Sequence, residues 1–293
     1  MPTAAQVAEH AALVGDVTTL ATADLVSLVA AVADDNPARV RAALLEATGP
    51  VLEPYGEQMS LLSATWYEDL RTEADAPGRF TPVLLTETVQ PERVRSLVEW
   101  SVGPLFEQST DSTVVDLLAG GAQKLLADVG RDTVFGNAEI DPAPVGYQRV
   151  PAPGCCAFCA MLASRGMDYR SMESAERVVG RGAAILPGPR RRGGQPKGIR
   201  PRGPRKIGEK YHDWCRCEGV PVFPGATVEF NPEVEDLLEA FFTASQNVHG
   251  PRDSLWSQWY AARKRGEAWT AAPEFDISAK RILAEMRRLT GAR

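Results

Sequence analysis

The sequence predicts a mainly α-helical chain. An N-terminal helical domain spans residues 1–145, a small α+β Cys/His module spans 146–223, and a helical tail spans 224–293. Three observations lead there. Apolar residues recur at spacings of three and four through the first half, the period of a helix with one buried face. All five cysteines fall in two short clusters, 155-CCAFC-159 and 215-CRC-217. Charge is divided as well: residues 1–150 hold 22 acids against 9 bases, a net of −13, and residues 151–293 hold 16 against 23, a net of +7. The two halves therefore face different partners or surfaces, which the overall charge of −6 conceals.

The helices can be placed in order. Segment 4–32 is rich in alanine and leucine, with apolar spacing clearest over 23–33. Asn36 followed by Pro37 is an N-cap with proline at the first helical position, and the helix it opens is expected to stop at Gly49-Pro50. A longer helix is expected from about Val51 to Ala74, with Leu52, Met59, Leu62, Trp66 and Leu70 on one side, ended by Asp75-Ala76-Pro77-Gly78. Pro91 opens the next, with Val94, Leu97 and Val98 facing inward, and Gly103-Pro104 interrupts it. The last runs from Ser112 to about Phe135, where Gly120-Gly121 marks a kink or a close helix contact. Nothing in this half resembles catalytic chemistry, and no run approaches the roughly 18 apolar residues of a membrane span. The opening residues carry Glu9 and His10 and no basic stretch of the kind that begins a secretory leader.

Residues 146–223 change character. An extended lead-in reaches the first cysteine cluster, which runs into one or two helical turns closed by Gly166, and a second short helix follows. The loop 187–206 comes next. Between Arg190 and Lys206 it holds Arg190, Arg191, Arg192, Lys197, Arg200, Arg202, Arg205 and Lys206, with no acid, spaced by Gly and Pro. Such a composition cannot build a core, but its cations can each meet a phosphate without sequence preference. A short strand is expected at 219–223. In the tail, an Asn-Pro cap opens a helix presenting Val234, Leu237, Leu238 and Phe241, and a final helix presents Ile282, Leu283, Met286 and Leu289. Glu233 and Glu235 suit a helix N-terminus better than a transferase motif.

The cysteines carry the chemistry. Cys156-x-x-Cys159 puts two sulfurs on one knuckle, and His212-x-x-Cys215-x-Cys217 offers a second set from a turn or short helix. Four such soft or borderline ligands suit a tetrahedral Zn²⁺ better than harder cations. The predicted ligands are Cys156, Cys159, Cys215 and either His212 or Cys217. Cys155 is the weakest candidate, because on an extended chain it points away from its neighbour. Thiols packed without metal, an oxidised pair and a reactive cysteine remain as alternatives. An odd thiol count fits a disulfide framework poorly. Prolines 151 and 153 with Gly154 place the knuckle on a loop, unlike the strand-to-helix turn of a redox Cys-x-x-Cys.

Across 145–224 the chain resembles the Mu F-like minor head proteins of tailed bacteriophages, and more narrowly the minor capsid proteins of actinobacterial phages. The resemblance rests on Cys156, Cys159, Gly166, His212, Cys215, Arg216 and Cys217 with the short apolar strand after them. It implies a structural protein of the virion, made in the host bacterial cytoplasm and present in few copies inside the head near the portal. The implied partners are the portal or major capsid protein and packaged double-stranded DNA, contacted non-specifically, without a membrane span. No Gly-x-Ser-x-Gly elbow or other catalytic set occurs, so the expectation is a non-enzyme. The competing readings are a zinc-knuckle nucleic-acid-binding protein outside a capsid and a cysteine-dependent hydrolase or capsid maturation protease.

Overall fold

The computed structural model describes residues 3–106, 112–152, 155–163, 183–184, 199–200, 217–225, 232–249 and 278–291. They form a mainly helical protein with two small two-stranded sheets. Helix α1 (Ala4–Ala31) begins at a capping box: the Thr3 hydroxyl accepts from the Gln6 amide, and the Gln6 side chain accepts from the Thr3 N–H at 2.7 Å. Helix α2 (Pro37–Glu73) begins at Asn36, whose side-chain oxygen accepts from the Ala38 N–H at 3.0 Å. Helix α3 (Pro91–Ser101) leads into a 3₁₀ turn, Gly103–Leu105. Helix α4 (Val114–Ile140) opens on a second capping box, Thr113 with Asp116.

The expected stop at Gly49-Pro50 does not occur. Helix α2 continues through Pro50 and Pro54, each of which lacks an N–H and leaves a carbonyl one turn earlier without its usual partner. An interior proline costs about 3 kcal/mol. Burial of Leu44, Leu52 and Met59 against α1 and α4 offsets that penalty. The helix ends where expected, at Asp75, whose φ of 47° is the left-handed turn that closes it.

The α4 helix runs five residues past the predicted Phe135, to Ile140. Two of its glycines, Gly121 and Gly130, stand where a neighbouring helix comes close. A Cβ on Gly121 would lie 2.2 Å from Leu97 Cδ1, and one on Gly130 would lie 2.7 Å from Ser63 Oγ. Where α4 ends, Asp141 fastens it to α2. The Asp141 carboxylate accepts from the Tyr67 hydroxyl at 2.9 Å and from Arg71 Nε at 2.8 Å, while Arg71 also donates to the carbonyls of Pro77 and Gly78. Burial pushes the Asp141 carboxyl up, but these donors and the Ala143 N–H outweigh it and hold it below its ordinary value.

Beyond the bundle, β1 (Gly146–Val150) pairs antiparallel with β4 (Glu218–Val222), in register Gly146↔Val222 to Val150↔Glu218. Between them come α5 (Ala157–Ala163) and a short antiparallel pair, β2 (Ala183–Ala184) with β3 (Ile199–Arg200). Helices α6 (Pro232–His249) and α7 (Ser278–Thr290) pack on each other and on α5. The predicted inward residues Val234, Leu237, Leu238, Phe241, Ile282 and Met286 are buried, whereas Leu289 is 40% exposed in the final turn.

Two cores result. One lies wholly within α1–α4 around Leu25, Leu44, Leu52, Val98 and Leu126. The other joins Trp66, Tyr67 and Leu70 of α2 and Phe135 of α4 to Val150, α5, Phe223, α6 and α7. The three sequence segments thus share a core. One feature differs from the sequence expectation about spans. Helix α1 has an 18-residue window of mean hydropathy 1.5, long and apolar enough by length and composition to cross a membrane. Its Val14, Ala21 and Leu25 instead pack into the bundle.

Candidate functional site

The β1–β4 ladder brings the two cysteine clusters together. Pairing of Val150 with Glu218 sets the chain just after β1 beside the chain just before β4, where Cys217 sits. After β1 the backbone turns, the Cys155 N–H donating to the Ala152 carbonyl at 3.1 Å. The Cys156 carbonyl then accepts from the Ala160 N–H at 3.1 Å, so α5 begins on the knuckle itself. Cys159 lies in the first turn of α5 and is buried, as is Cys217; each is 1% exposed and they pack together. Cys155 and Cys156, half-buried, pack against that pair.

Three of the predicted ligands, Cys156, Cys159 and Cys217, are therefore brought together across more than fifty residues of intervening chain. Cys155 joins them, although its sequence position made it the weakest candidate. The turn at Ala152–Cys155 is the reason, since the outward direction expected for Cys155 assumed an extended backbone. His212 and Cys215, with Gly166, Arg216 and the second short helix, lie outside the described residues. Among the described residues no three Cys, His, Asp or Glu side chains form a group ready to hold a metal ion.

A buried charge network supports the cluster from below. Arg131, in the middle of α4 and 1% exposed, donates from Nε to the Cys217 carbonyl at 3.0 Å and from Nη1 to Asp128 at 3.0 Å. Its Nε also lies 3.8 Å from the Glu218 carboxylate. Asp128 further receives Lys124 at 3.1 Å and Arg93 at 2.5 Å. Burial pushes the Asp128 carboxyl up, but the Arg131 guanidinium with Lys124 and Arg93 outweighs it and holds the group below its ordinary value. Arg149 of β1 is also fully buried. Sequence reading passed over both arginines. For Arg131 a signal was present: it stands four residues after Ala127 and four before Phe135, within the apolar stripe of α4.

Of the eight predicted DNA-contacting cations, Arg200 falls on β3, opposite Ala183. Arg190, Arg191, Arg192, Lys197, Arg202, Arg205 and Lys206 lie outside the described residues.

No curated protein and no solved structure matches the chain. The family model described as VG15 protein matches residues 1–244, a span that takes in the bundle, the thiol cluster, the β1–β4 ladder and most of α6. The chain belongs to the VG15 protein family, which points to a phage-related protein.

Proposed function

We propose that the chain is a minor capsid or head-morphogenesis protein of a tailed bacteriophage, acting inside the head near the portal. In this reading the acidic bundle docks on the portal or capsid protein, a structural metal knuckle rigidifies the module after it, and the basic loop 187–206 touches packaged DNA without sequence preference. Membership of a phage-related family and the resemblance of 145–224 to Mu F-like minor head proteins support it. The observation that carries it is the convergence of Cys156, Cys159 and Cys217, from opposite ends of the basic insert, onto one buried point.

The donor chemistry at that point fits zinc. The ligands would be Cys156, Cys159 and Cys217, completed by His212 or Cys215. Bound there, the ion would supply a cross-link between the chain before β4 and the start of α5. Arg131 would hold the Cys217 backbone in place.

Co-expression with a portal protein from the same phage, followed by sedimentation and elemental analysis, tests the proposal. The expected outcome is that the chain sediments with the portal ring and carries about one zinc per chain. Chelation should then cost hydrogen-exchange protection over 144–163 and 217–225, and spare the inner bundle around Leu44, Val98 and Leu126. A chain that never associates with portal or capsid would sink the assembly role. A metal-free chain indifferent to chelator would sink the knuckle.

A further inference from the structure

One buried side chain in the bundle has no evident structural reason to be polar. His10 of α1 is 4% exposed and stacks flat on Trp66 of α2, ring centroids 3.9 Å apart and planes 12° apart. Both ring nitrogens are sealed from solvent without a hydrogen-bond partner. Burial holds the ring neutral, its pKa lowered to about 3, so it keeps one N–H and one open lone pair. A phenyl ring would stack as well and leave no polar atom unsatisfied, and a group of this kind calls for an explanation.

The imidazole forms part of the wall of a groove of about 390 Å³ between α1 and α2. Leu13, Leu62 and Trp66 make the groove apolar inside, and the exposed carboxylates of Glu9, Asp69 and Glu73 edge it. No basic side chain lines it. The Gln6 amide donates across it to Glu73, an exposed strap that a bound cation would replace at Glu73 while the Gln6 oxygen stays in the Thr3 cap.

We propose that this groove is a docking site for an arginine-bearing segment of a partner protein. The guanidinium passes the Gln6–Glu73 strap, meets the carboxylates of Glu9, Asp69 and Glu73, and donates one N–H to the open nitrogen of His10. An apolar residue beside that arginine covers Leu13 and Leu62. Arginine fits better than lysine because its planar fork presents five N–H donors, enough for the carboxylates and the imidazole together. Charge complementarity favours it at longer range, because residues 1–150 carry a net −13. The proposal goes beyond the head-assembly reading and does not depend on it.

The test uses the full chain and a fluorescein-labelled 12-residue peptide of alternating arginine and leucine, read by anisotropy at fixed ionic strength. Citrulline in place of arginine keeps shape and removes charge, and should weaken binding about tenfold. Asp69→Asn with Glu73→Gln should also weaken it about tenfold. His10→Phe should weaken it about three- to tenfold while raising the melting temperature. Asp34→Asn with Asp35→Asn makes the same charge change in the α1–α2 turn and should leave affinity unchanged. Equal loss in both double variants would reduce binding to bulk electrostatics and overturn the proposal. So would unchanged affinity in His10→Phe together with the groove variant. If the peptide does not bind and the chain dimerises through a contact that the groove variant weakens, the occupant is a second copy and the proposal falls.

Discussion

The buried imidazole of His10 should make the stability of the fold depend on pH in a window where few other groups titrate. At pH 8 the ring is neutral in both the folded and the unfolded chain. As pH drops through 6.5, the unfolded chain takes up a proton that the folded chain refuses until about pH 3. The unfolded state then binds more protons, so stability present above 6.5 is lost on acidification. At about 1.4 kcal/mol per pH unit, the loss at pH 5 is about 2 kcal/mol. That figure barely changes if the folded value is one unit higher or lower, because at pH 5 the folded ring stays neutral either way. Stopping at pH 5 also avoids the acid limb of Asp128 and Asp141, whose folded values lie below 3.8. The assay is urea unfolding, followed by circular dichroism from pH 8 to 5, on the native chain and on His10→Phe. The variant should be at least as stable at pH 8 and should lose about 2 kcal/mol less on the way down. The chain's other two histidines are common to both proteins and cancel in the comparison. Parallel curves would refute the reasoning, since they would mean that the ring is protonated as readily in the folded chain as in the unfolded one.

Other perturbations test the packing and the basic segment. Arg131→Met removes the guanidinium from the Cys217 carbonyl, Asp128 and Glu218; it should cost about 3–5 kcal/mol and lower the melting temperature by about 10 °C, and a loss under about 1 kcal/mol would show that the network is dispensable. Gly130→Ala sets a Cβ 2.7 Å from the buried Ser63 hydroxyl and should destabilise by about 1–3 kcal/mol. Gly136→Ala meets nothing within 4 Å and should stabilise by about 0.5–1 kcal/mol; thermal melts that order these two the other way would contradict the α2–α4 contact. Replacing Arg190, Arg191 and Arg192 with glutamine should flatten the log–log salt dependence of DNA binding by about 2.7 units, and an unaltered slope would leave 187–206 as a solvated linker.

What could be read in advance was whatever the local sequence decides. The cap at Asn36, the proline starts at Pro37 and Pro91 and the turn at Asp75 all depend on residues within a few positions of one another. The faces of α6 and α7 followed from apolar spacing, with Leu289 failing because it stands in the last turn, beyond the reach of the core. The stop at Gly49-Pro50 failed for the opposite reason. Local chemistry argued for a break, and contacts with α1 and α4, distant in sequence, overrode it. At the site, spacing paired Cys156 with Cys159 and offered Cys217 only as an alternative to His212. It could not show that the chain turns at Ala152 and brings Cys155 in, nor that an arginine in the apolar stripe of α4 holds the Cys217 carbonyl.

The shared core changes how the thiol cluster relates to the bundle. From sequence, residues 146–223 have few large apolar groups of their own, and a metal cross-link between the ends of the segment would offset that shortage. In the fold, Val150, Phe223 and α5 also pack on Trp66, Tyr67 and Phe135 of the bundle and on α6 and α7. The cysteine segment is therefore held from two directions before any ion is considered. Arg131 adds a third hold, polar and directional, from α4 to the residue that carries a candidate ligand. Arg131 lies on α4, the helix that also gives Phe135 to the core shared with the module. The upper core, around Leu25, Leu52 and Val98, has no residue from the module in it. Of the two cores it is the one that can stay intact while the cysteine end loosens.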